Sequence, residues 1–274
     1  LIAQINRNLP FIPNDAVMAT RECDFIIDEP ALDTTLFAPP NMPVEATDYL
    51  IGLYASSLVL DDGTLQIGIG ALGDAVAYCL EMRHERNAAY RDLLHATGAM
   101  SRFGSEIATL GGDGRFNDGL YGCSEMFIAG FLYLIQKGVL KREVYSDTQI
   151  QQLVNSRLLP VYLDESIFSL LLFHKVISPT LTQRDVERLK RCGILTDNAQ
   201  WRDDALWVQL ENGDLYQFIE PDLKDKNLID CLTENALGNQ LRGTIMHGGF
   251  FLGPHQFYKD LHALDGLTRD SINM

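Results

Sequence analysis

A single carboxylate stands out among the residues that could do chemistry, because it lies between a glycine-rich run and a long apolar stretch. It is Glu125, in the segment Gly119-Leu120-Tyr121-Gly122-Cys123-Ser124-Glu125-Met126-Phe127. The apolar residues that follow predict a helix from Glu125 to Lys137, with Gly138 as its left-handed cap. At the start of that helix the carboxylate has two interpretations. It either complements the helix dipole, which is worth about 0.3–1 kcal/mol, or it acts as a nucleophile that the dipole keeps ionised.

A second glycine-rich segment, Gly68-Ile69-Gly70-Ala71-Leu72-Gly73, follows a predicted strand over 64–68 and precedes a predicted helix that begins at Asp74. Its spacing matches GxGxxG, in which backbone N–H groups at a helix start bind a pyrophosphate. A dinucleotide site also needs a second strand that ends in an acid about 20 residues later, whereas residues 81–100 have a polar, helical pattern. The segment therefore predicts a glycine turn that approaches a phosphate or an oxyanion, or a tight turn without a ligand.

Two further side chains could carry chemistry, and each has a simpler explanation. Cys123 could be a thiol nucleophile, but the sequence identifies no histidine and acid to activate it, which favours a small buried residue. His247-Gly248-Gly249 is weakly similar to the glycine-rich oxyanion loop of lipases, but the chain has no GxSxG motif. The six histidines have no HExxH or other metal-ligand spacing, so we expect no metal site.

The elements that must position these residues divide the chain into four predicted parts. They are a linker and the end of a preceding domain at 1–47, an α/β core at 48–155, an α+β insertion at 156–245, and a return to the core at 246–274. In the core, a helix capped by Thr47 or Asp48 is expected over 48–60, and strand, glycine turn and helix alternate as in layered α/β domains. In the insertion, Glu211-Asn212-Gly213-Asp214 between two apolar runs predicts a hairpin. Helices are expected there over 181–190 and 225–237.

Composition limits the classes of function. The chain has 274 residues, 46% of them hydrophobic and 22% charged, and a net charge of −15, which disfavours nucleic acid and anionic membranes as partners. The longest apolar run, at 126–135, is too short to cross a bilayer, and the first residues lack the pattern of a signal peptide. The five cysteines form no CxxC pair, which favours free thiols and a cytoplasmic protein.

Taken together, the segments 68–76 and 124–127 resemble the acetyl-CoA hydrolase/CoA-transferase family. That family has a Gly-Ile-Gly-x-(Ile/Leu)-x-x-Ala-Val loop followed by a (Thr/Ser)-Glu-Met-Phe segment that opens a helix. The resemblance covers residues 44–145, and the tail from Gly248 to Tyr258 is similar to a longer bacterial branch. It implies a layered α/β fold of the NagB/RpiA type, an open sheet with helices on both faces, plus the small α+β insertion.

The resemblance also implies the chemistry. Glu125 would attack an acyl-CoA to give an acyl-glutamyl anhydride, and the released thiolate would convert it to a glutamyl-CoA thioester. The loop Gly68, Ile69, Gly70, Ala71 and Leu72 would contact CoA or the developing oxyanion. Coenzyme A would be a substrate rather than a tightly bound cofactor, with an acyl-CoA and a small carboxylate as partners and a homodimer as a compatible assembly.

Departures from the family pattern accompany the resemblance. Gly73 stands where many members have proline, and Cys123 where many have histidine; the family's later Asn-Ser and Gly-Gly segments are missing. We therefore expect a fragment of a longer protein that holds the nucleophile without the whole pocket and is inactive alone. The alternative hypothesis is a non-catalytic CoA-binding, nucleotide-binding or assembly module. A hydrolase that uses Cys123 is the third hypothesis.

Overall fold

The chain forms two compact units. The computed structural model describes residues 1–40, 42–160 and 162–274. Unit 1 comprises Leu1–Glu143 and Thr244–Met274, and unit 2 comprises Val144–Gly243.

Nine strands and eleven α-helices are present in the described residues. The strands are β1 (Ile2–Gln4), β2 (Phe25–Ile27), β3 (Thr64–Leu65), β4 (Tyr121–Phe127), β5 (Ala199–Arg202), β6 (Ala205–Gln209), β7 (Leu215–Phe218), β8 (Met246–Phe251) and β9 (Ile272–Asn273). The helices are α1 (Ala46–Ser57), α2 (Ala71–Glu85), α3 (Asn87–Ala96), α4 (Ala99–Leu110), α5 (Ala129–Gln136), α6 (Thr148–Asn155), α7 (Ser166–Phe173), α8 (Gln183–Arg191), α9 (Lys226–Asn235), α10 (His255–His262) and α11 (Gly266–Asp270).

Unit 1 is built around a parallel sheet with the strand order β3-β4-β8-β9. The apolar residues of β4 and β8 pack against those of the connecting helices and form one core. This core includes Leu80, Leu120, Phe127, Phe131, Leu134, Leu140, Met246, Phe257 and Leu261. A separate parallel pair, β1 and β2, lies in the N-terminal segment. The predicted α/β class, with a parallel sheet flanked by helices, is confirmed.

A buried arginine joins the helices that precede β4. The guanidinium of Arg83 on α2 donates to the backbone carbonyls of Ser56 at 2.9 Å and Gly114 at 2.7 Å, and it lies 4.3 Å from the centre of the Phe116 ring. Arg83 is only 2% exposed. Because a buried charge without partners would be costly, these acceptors make Arg83 a fixed link between α1, α2 and the loop that leads to β4.

The prediction that Glu125 opens a helix is wrong. Residues 121–127 form β4, and the helix α5 begins only at Ala129. The pairing of β4 with a strand on each side outweighs the helical pattern of the apolar residues, because a central strand satisfies its backbone groups in two ladders. The end of the predicted helix is confirmed: Gly138 has φ +66°, and its N–H donates to the carbonyl of Ile135 at 3.0 Å.

Two other boundaries differ from the sequence prediction. The residue before α1 is Glu45, whose N–H donates to the Asp48 carboxylate at 3.0 Å, so neither Thr47 nor Asp48 is the cap. The helix after the glycine turn begins at Ala71 rather than Asp74.

Unit 2 has an antiparallel sheet with the strand order β5-β6-β7, packed against its helices. The predicted hairpin is confirmed: β6 and β7 are joined by residues 210–214, and Gly213 has φ +89°. The two predicted helices are present as α8 and α9. The core residues of this unit include Ile150, Ile167, Leu171, Val186, Leu189, Leu206, Val208, Leu228 and Leu232.

Candidate functional site

Glu125 lies near the carboxyl end of β4, and its side chain is exposed. The pairing of β3 with β4 ends at Leu65 and Gly122, and beyond it the Ser124 hydroxyl donates to the carbonyl of Ile67, the residue before Gly68. On the other side β8 pairs Gly248 with Ser124, which makes Gly249 level with Glu125. Gly249 is therefore the neighbour of Glu125 in the sheet on one side, and the glycine turn begins near Ser124 on the other.

The two glycines near Glu125 differ: the backbone of Gly68 borders open space, whereas that of Gly249 lies close against the backbone of Glu125. A methyl group placed on Gly68 would meet no protein atom within 4 Å, so the space beside it is open. A methyl group on Gly249 would lie 3.1 Å from the carbonyl oxygen of Glu125. Backbone without side chains next to an exposed carboxylate lets another molecule approach closely, which is the arrangement a nucleophile needs.

The glycine turn is fixed beside β4 by a hydrogen bond from a hydroxyl of that strand and by its own tight backbone geometry. The hydroxyl of Ser124 donates to the carbonyl of Ile67 at 3.4 Å. Gly70 has φ +119°, which is unfavourable for residues with a side chain, and a methyl group on Gly73 would clash with the carbonyl of Gly68. The shape of the loop therefore depends on glycine at both positions.

The same loop supplies hydrogen-bond donors. The first bond of α2 runs from the N–H of Asp74 to the carbonyl of Gly70 at 3.1 Å. The N–H groups of Ala71, Leu72 and Gly73 therefore have no partner within the helix. Between α2 and β4 the described residues form the helices α3 and α4 and no strand. The dinucleotide-binding fold is therefore not formed. The turn remains able to stabilise an oxyanion or a phosphate.

A group that we call the thiol cluster, Tyr121, Cys123 and His247, lies on the same strands. Cys123 is paired with His247 in the register of β4 and β8. The phenol oxygen of Tyr121 is 2.6 Å from Nδ1 of His247. The prediction that Cys123 is buried is wrong, because its side chain is exposed.

Burial controls the protonation of this cluster. Burial raises the pKa of Tyr121 to about 12, and the neighbouring Cys123 adds to the shift. Burial also lowers the pKa of His247, against the weaker effect of the Asp15 carboxylate. At neutral pH the cluster therefore has a protonated phenol and a neutral imidazole.

The sequence indicates Cys123 and His247 only as separate candidates and gives no indication of Tyr121. Tyr121, Cys123 and Glu125 are spaced two residues apart, which is the spacing of side chains on one face of a strand. Because the segment from Glu125 was interpreted as a helix, this spacing was not used. The pairing of His247 with Cys123 joins positions 124 residues apart and has no local signal.

A cavity of about 290 Å³ lies at the first residues of α2, α5 and α10. Its lining is mainly apolar, and Glu125 is not part of it. Asp74 supplies a carboxyl group to the wall, and burial raises the pKa of that group. Of the predicted loop residues, Ile69 and Gly70 contribute to this cavity. The cavity therefore does not include Glu125, although the glycine turn contributes to its wall.

Within residues 1–40, 42–160 and 162–274, no group of three metal-binding side chains is present. No helix in the same ranges is long and apolar enough to cross a membrane. All five cysteines lie in the described part of the chain, and all five are free.

Comparison with known proteins gives one informative match. Over 102 residues the chain is 30% identical to a 4-hydroxybutyrate coenzyme A transferase of Clostridium kluyveri. The match covers 36% of the chain and 22% of the relative, so the chain spans about a fifth of the length of that transferase. No family model matches the chain.

Among solved structures, RipA from Yersinia pestis is 22% identical with a TM-score of 0.35, and the match covers 50% of the chain and 24% of RipA. A 4-hydroxybutyrate CoA-transferase from Porphyromonas gingivalis is 24% identical with a TM-score of 0.33, over 50% of the chain and 26% of that protein. At these scores the structural similarity supports no further conclusion.

Proposed function

We propose that the chain is part of an acyl-CoA transferase or hydrolase that uses Glu125 as its nucleophile. The observation that carries the proposal is the exposed carboxylate of Glu125 near the end of β4, with Gly249 beside it on β8 and the start of the glycine turn near Ser124. The similarity to a CoA-transferase over 102 residues supports the choice of acyl-CoA as the substrate class.

The proposed reaction starts with attack of the Glu125 carboxylate on the thioester carbonyl of a short-chain acyl-CoA. The carbon–sulfur bond breaks, and the CoA thiolate leaves an acyl-glutamyl anhydride. The thiolate then attacks the glutamyl carbonyl, which releases the acyl group as a carboxylate and forms a glutamyl-CoA thioester. In the transferase, an acceptor carboxylate attacks the glutamyl carbonyl and displaces the CoA thiolate, which leaves a new anhydride; the thiolate then attacks the acyl carbon of the acceptor, which forms the product acyl-CoA and regenerates Glu125. In the hydrolase, water attacks the glutamyl carbonyl, which releases CoA and regenerates Glu125.

Residues 68–72 have a supporting role in this proposal. Negative charge develops on the carbonyl oxygen in each step, and backbone N–H groups at a helix start stabilise it with little reorganisation. The N–H groups of Ala71 and Leu72, at the start of α2, have no partner within the helix. Because the chain has a net charge of −15, the phosphates of CoA must be bound locally, by such backbone donors or by a few basic side chains.

Three further proposals concern unit 2, CoA and the location of the protein. We propose that unit 2 is an insertion into the α/β domain, and that CoA binds as a substrate rather than as a resident cofactor. The free cysteines favour a cytoplasmic location.

Trapping the intermediate tests the proposal. The complete protein is incubated with acetyl-CoA and then with borohydride or hydroxylamine, and the modified peptide is mapped by mass spectrometry. We expect the modification at Glu125 and the loss of turnover in Glu125→Gln. The matched control is Glu106→Gln on α4, which removes an exposed glutamate bonded only to Ser105 and retains turnover. Full activity of Glu125→Gln, or modification elsewhere, would contradict the assignment.

A further inference from the structure

Unit 2 has a group of arginines on one helix that the proposed reaction does not use. The buried residues Val186 and Leu189 turn one face of α8 towards the core of the unit. Arg184, Arg188 and Arg191 are spaced four and three residues apart, so they share the opposite face, and we call them the arginine cluster. Because the net charge of −15 repels anions from the surface as a whole, an anion is bound only where positive groups are concentrated.

The arginine cluster borders a cavity of about 210 Å³ whose lining lies entirely within unit 2. The cavity lies between α8 and the start of α6, and Ser146, Asp147, Gln149 and Glu187 complete its polar wall. The cavity at the glycine turn has a mainly apolar lining instead. The two cavities therefore suit different ligands, and the one in unit 2 suits a charged, polar group.

Arg188 is held in a fixed position within the cluster. Its guanidinium forms two hydrogen bonds with the Asp147 carboxylate, one of them 2.7 Å long, and donates to Oε1 of Gln149 at 2.8 Å. It also donates to the carbonyl of Val176. Because these acceptors fix the guanidinium and Asp147 neutralises its charge, Arg188 gives the cavity an ordered wall rather than net charge.

Arg184 and Arg191 supply the uncompensated positive charge. Both side chains are exposed, and within the described part of the chain neither has a carboxylate at ion-pair distance or a side-chain hydrogen bond. The other charges of α8 lie elsewhere: Lys190 pairs with Asp197 at 2.8 Å, and Asp185 is buried. The two free guanidiniums therefore stand on either side of the fixed Arg188.

Glu187 is the opposing charge in the wall of the cavity. Its carboxylate accepts a hydrogen bond from Nε2 of Gln183 at 2.8 Å, and no ion pair to it is present in the ranges that the structure describes. Two free guanidiniums against one free carboxylate leave a net positive charge at the cavity. Removal of Glu187 would increase that charge, which gives a test of the opposite sign to removal of an arginine.

We propose that the arginine cluster binds a phosphate group of a small molecule. Guanidiniums match phosphate oxygens with paired hydrogen bonds, and a phosphate carries enough charge to engage two of them. Arg184 and Arg191 are seven residues apart, roughly 10.5 Å along the helix, so their long side chains approach a ligand from both sides of Arg188. The Ser146 hydroxyl offers a further donor. Inorganic diphosphate and the phosphates of CoA share this chemistry, and the site does not depend on Glu125.

Calorimetric titration of the complete protein with inorganic diphosphate tests the site. We expect the parent to bind with a Kd below about 1 mM, and Arg184→Gln and Arg191→Gln to bind about 10-fold more weakly, as for the loss of one charge-assisted contact. Both variants should unfold like the parent, because both side chains are exposed and without bonds. Glu187→Gln should bind about two- to fivefold more tightly, because a repelling charge is removed.

The matched control is Arg157→Gln, which removes an exposed arginine of unit 2 beyond the far end of α6. That helix separates it from the cavity by roughly 12 Å, more than the screening length in physiological salt, so its affinity should equal that of the parent. Titration with CoA and dephospho-CoA identifies the source of the phosphate. A preference for CoA that disappears in Arg184→Gln identifies the 3′-phosphate of CoA, and tight diphosphate binding without that preference identifies a free ligand.

Several results would overturn the inference. They are the absence of diphosphate and CoA binding by the parent, parent-like affinity in both arginine variants, and equal weakening in Arg157→Gln, because binding would then be absent, elsewhere or nonspecific. Succinate binding as tightly as diphosphate would overturn the assignment of phosphate. Glu125→Gln should leave the diphosphate affinity unchanged, so failure of the proposed function and failure of this site are separate results.

Discussion

Gly68→Ala tests whether the space beside Glu125 is reserved for a substrate. A methyl group on Gly68 meets no protein atom within 4 Å, and its backbone is outside the left-handed region, so the fold should accept it. We expect the free energy of unfolding to stay within about 0.5 kcal/mol of the parent. An atom that contacts the bare backbone at about 2.9 Å would be held at about 3.5 Å or more by a methyl group.

A displacement of this size has a calculable effect on turnover. Misplacement by about 1 Å costs up to about 100-fold, so we expect kcat/KM to fall about 10- to 100-fold, or about 1.4–2.7 kcal/mol. The assay is acyl-CoA turnover beside thermal unfolding of the same preparation. The control is Gly104→Ala on α4, where a methyl group also meets nothing within 4 Å and activity should be unchanged. Parent-like kcat/KM in a folded Gly68→Ala protein would refute the reasoning.

Three further predictions concern stability and are checked by chemical or thermal unfolding. Gly73→Ala should cost about 1–3 kcal/mol, because the added methyl group clashes with the carbonyl of Gly68; an unchanged midpoint would show that the turn is not tight. Arg83→Met should cost about 3 kcal/mol, because it leaves buried carbonyls without a donor; a cost below about 1 kcal/mol would show that water replaces the guanidinium. The third prediction concerns pH. Burial lowers the pKa values of His84 and His247, so the stability they contribute is present above the unfolded value of about 6.5 and is lost as pH falls through the lowered values. Replacement of both by glutamine should flatten the dependence between pH 8 and pH 5, and an unchanged slope would contradict it.

Local signals predicted those parts of the fold that depend on neighbours in sequence. The hairpin around Gly213 and the cap at Gly138 both need a left-handed backbone, which glycine provides wherever it stands. The strand at 121–127 has no such signal, because its ladder bonds come from residues 64–65 and 246–251. A pattern of apolar residues cannot distinguish a buried strand from a buried helix when the pairing partners are far away in sequence.

In the candidate site, too, only the features that depend on neighbours in sequence could be predicted. The open shape of the turn at 68–73 could be anticipated from its glycines, and so could the acid at Glu125. The position of Gly249 beside Glu125 could not be anticipated, since it results from the pairing of β4 with β8. Tyr121 and His247 are 126 positions apart, and only the pairing of β4 with β8 brings the phenol to the imidazole.

Glu125 lies in a strand rather than at the start of a helix, and this determines which side chains share its face. At a helix start, its neighbours on the same face would be the residues three and four positions later, Ile128 and Ala129, which have no reactive groups. In a strand, the residue two positions earlier shares its face, and that residue is Cys123. The strand therefore places a carboxylate and a thiol, both exposed, on one face of β4.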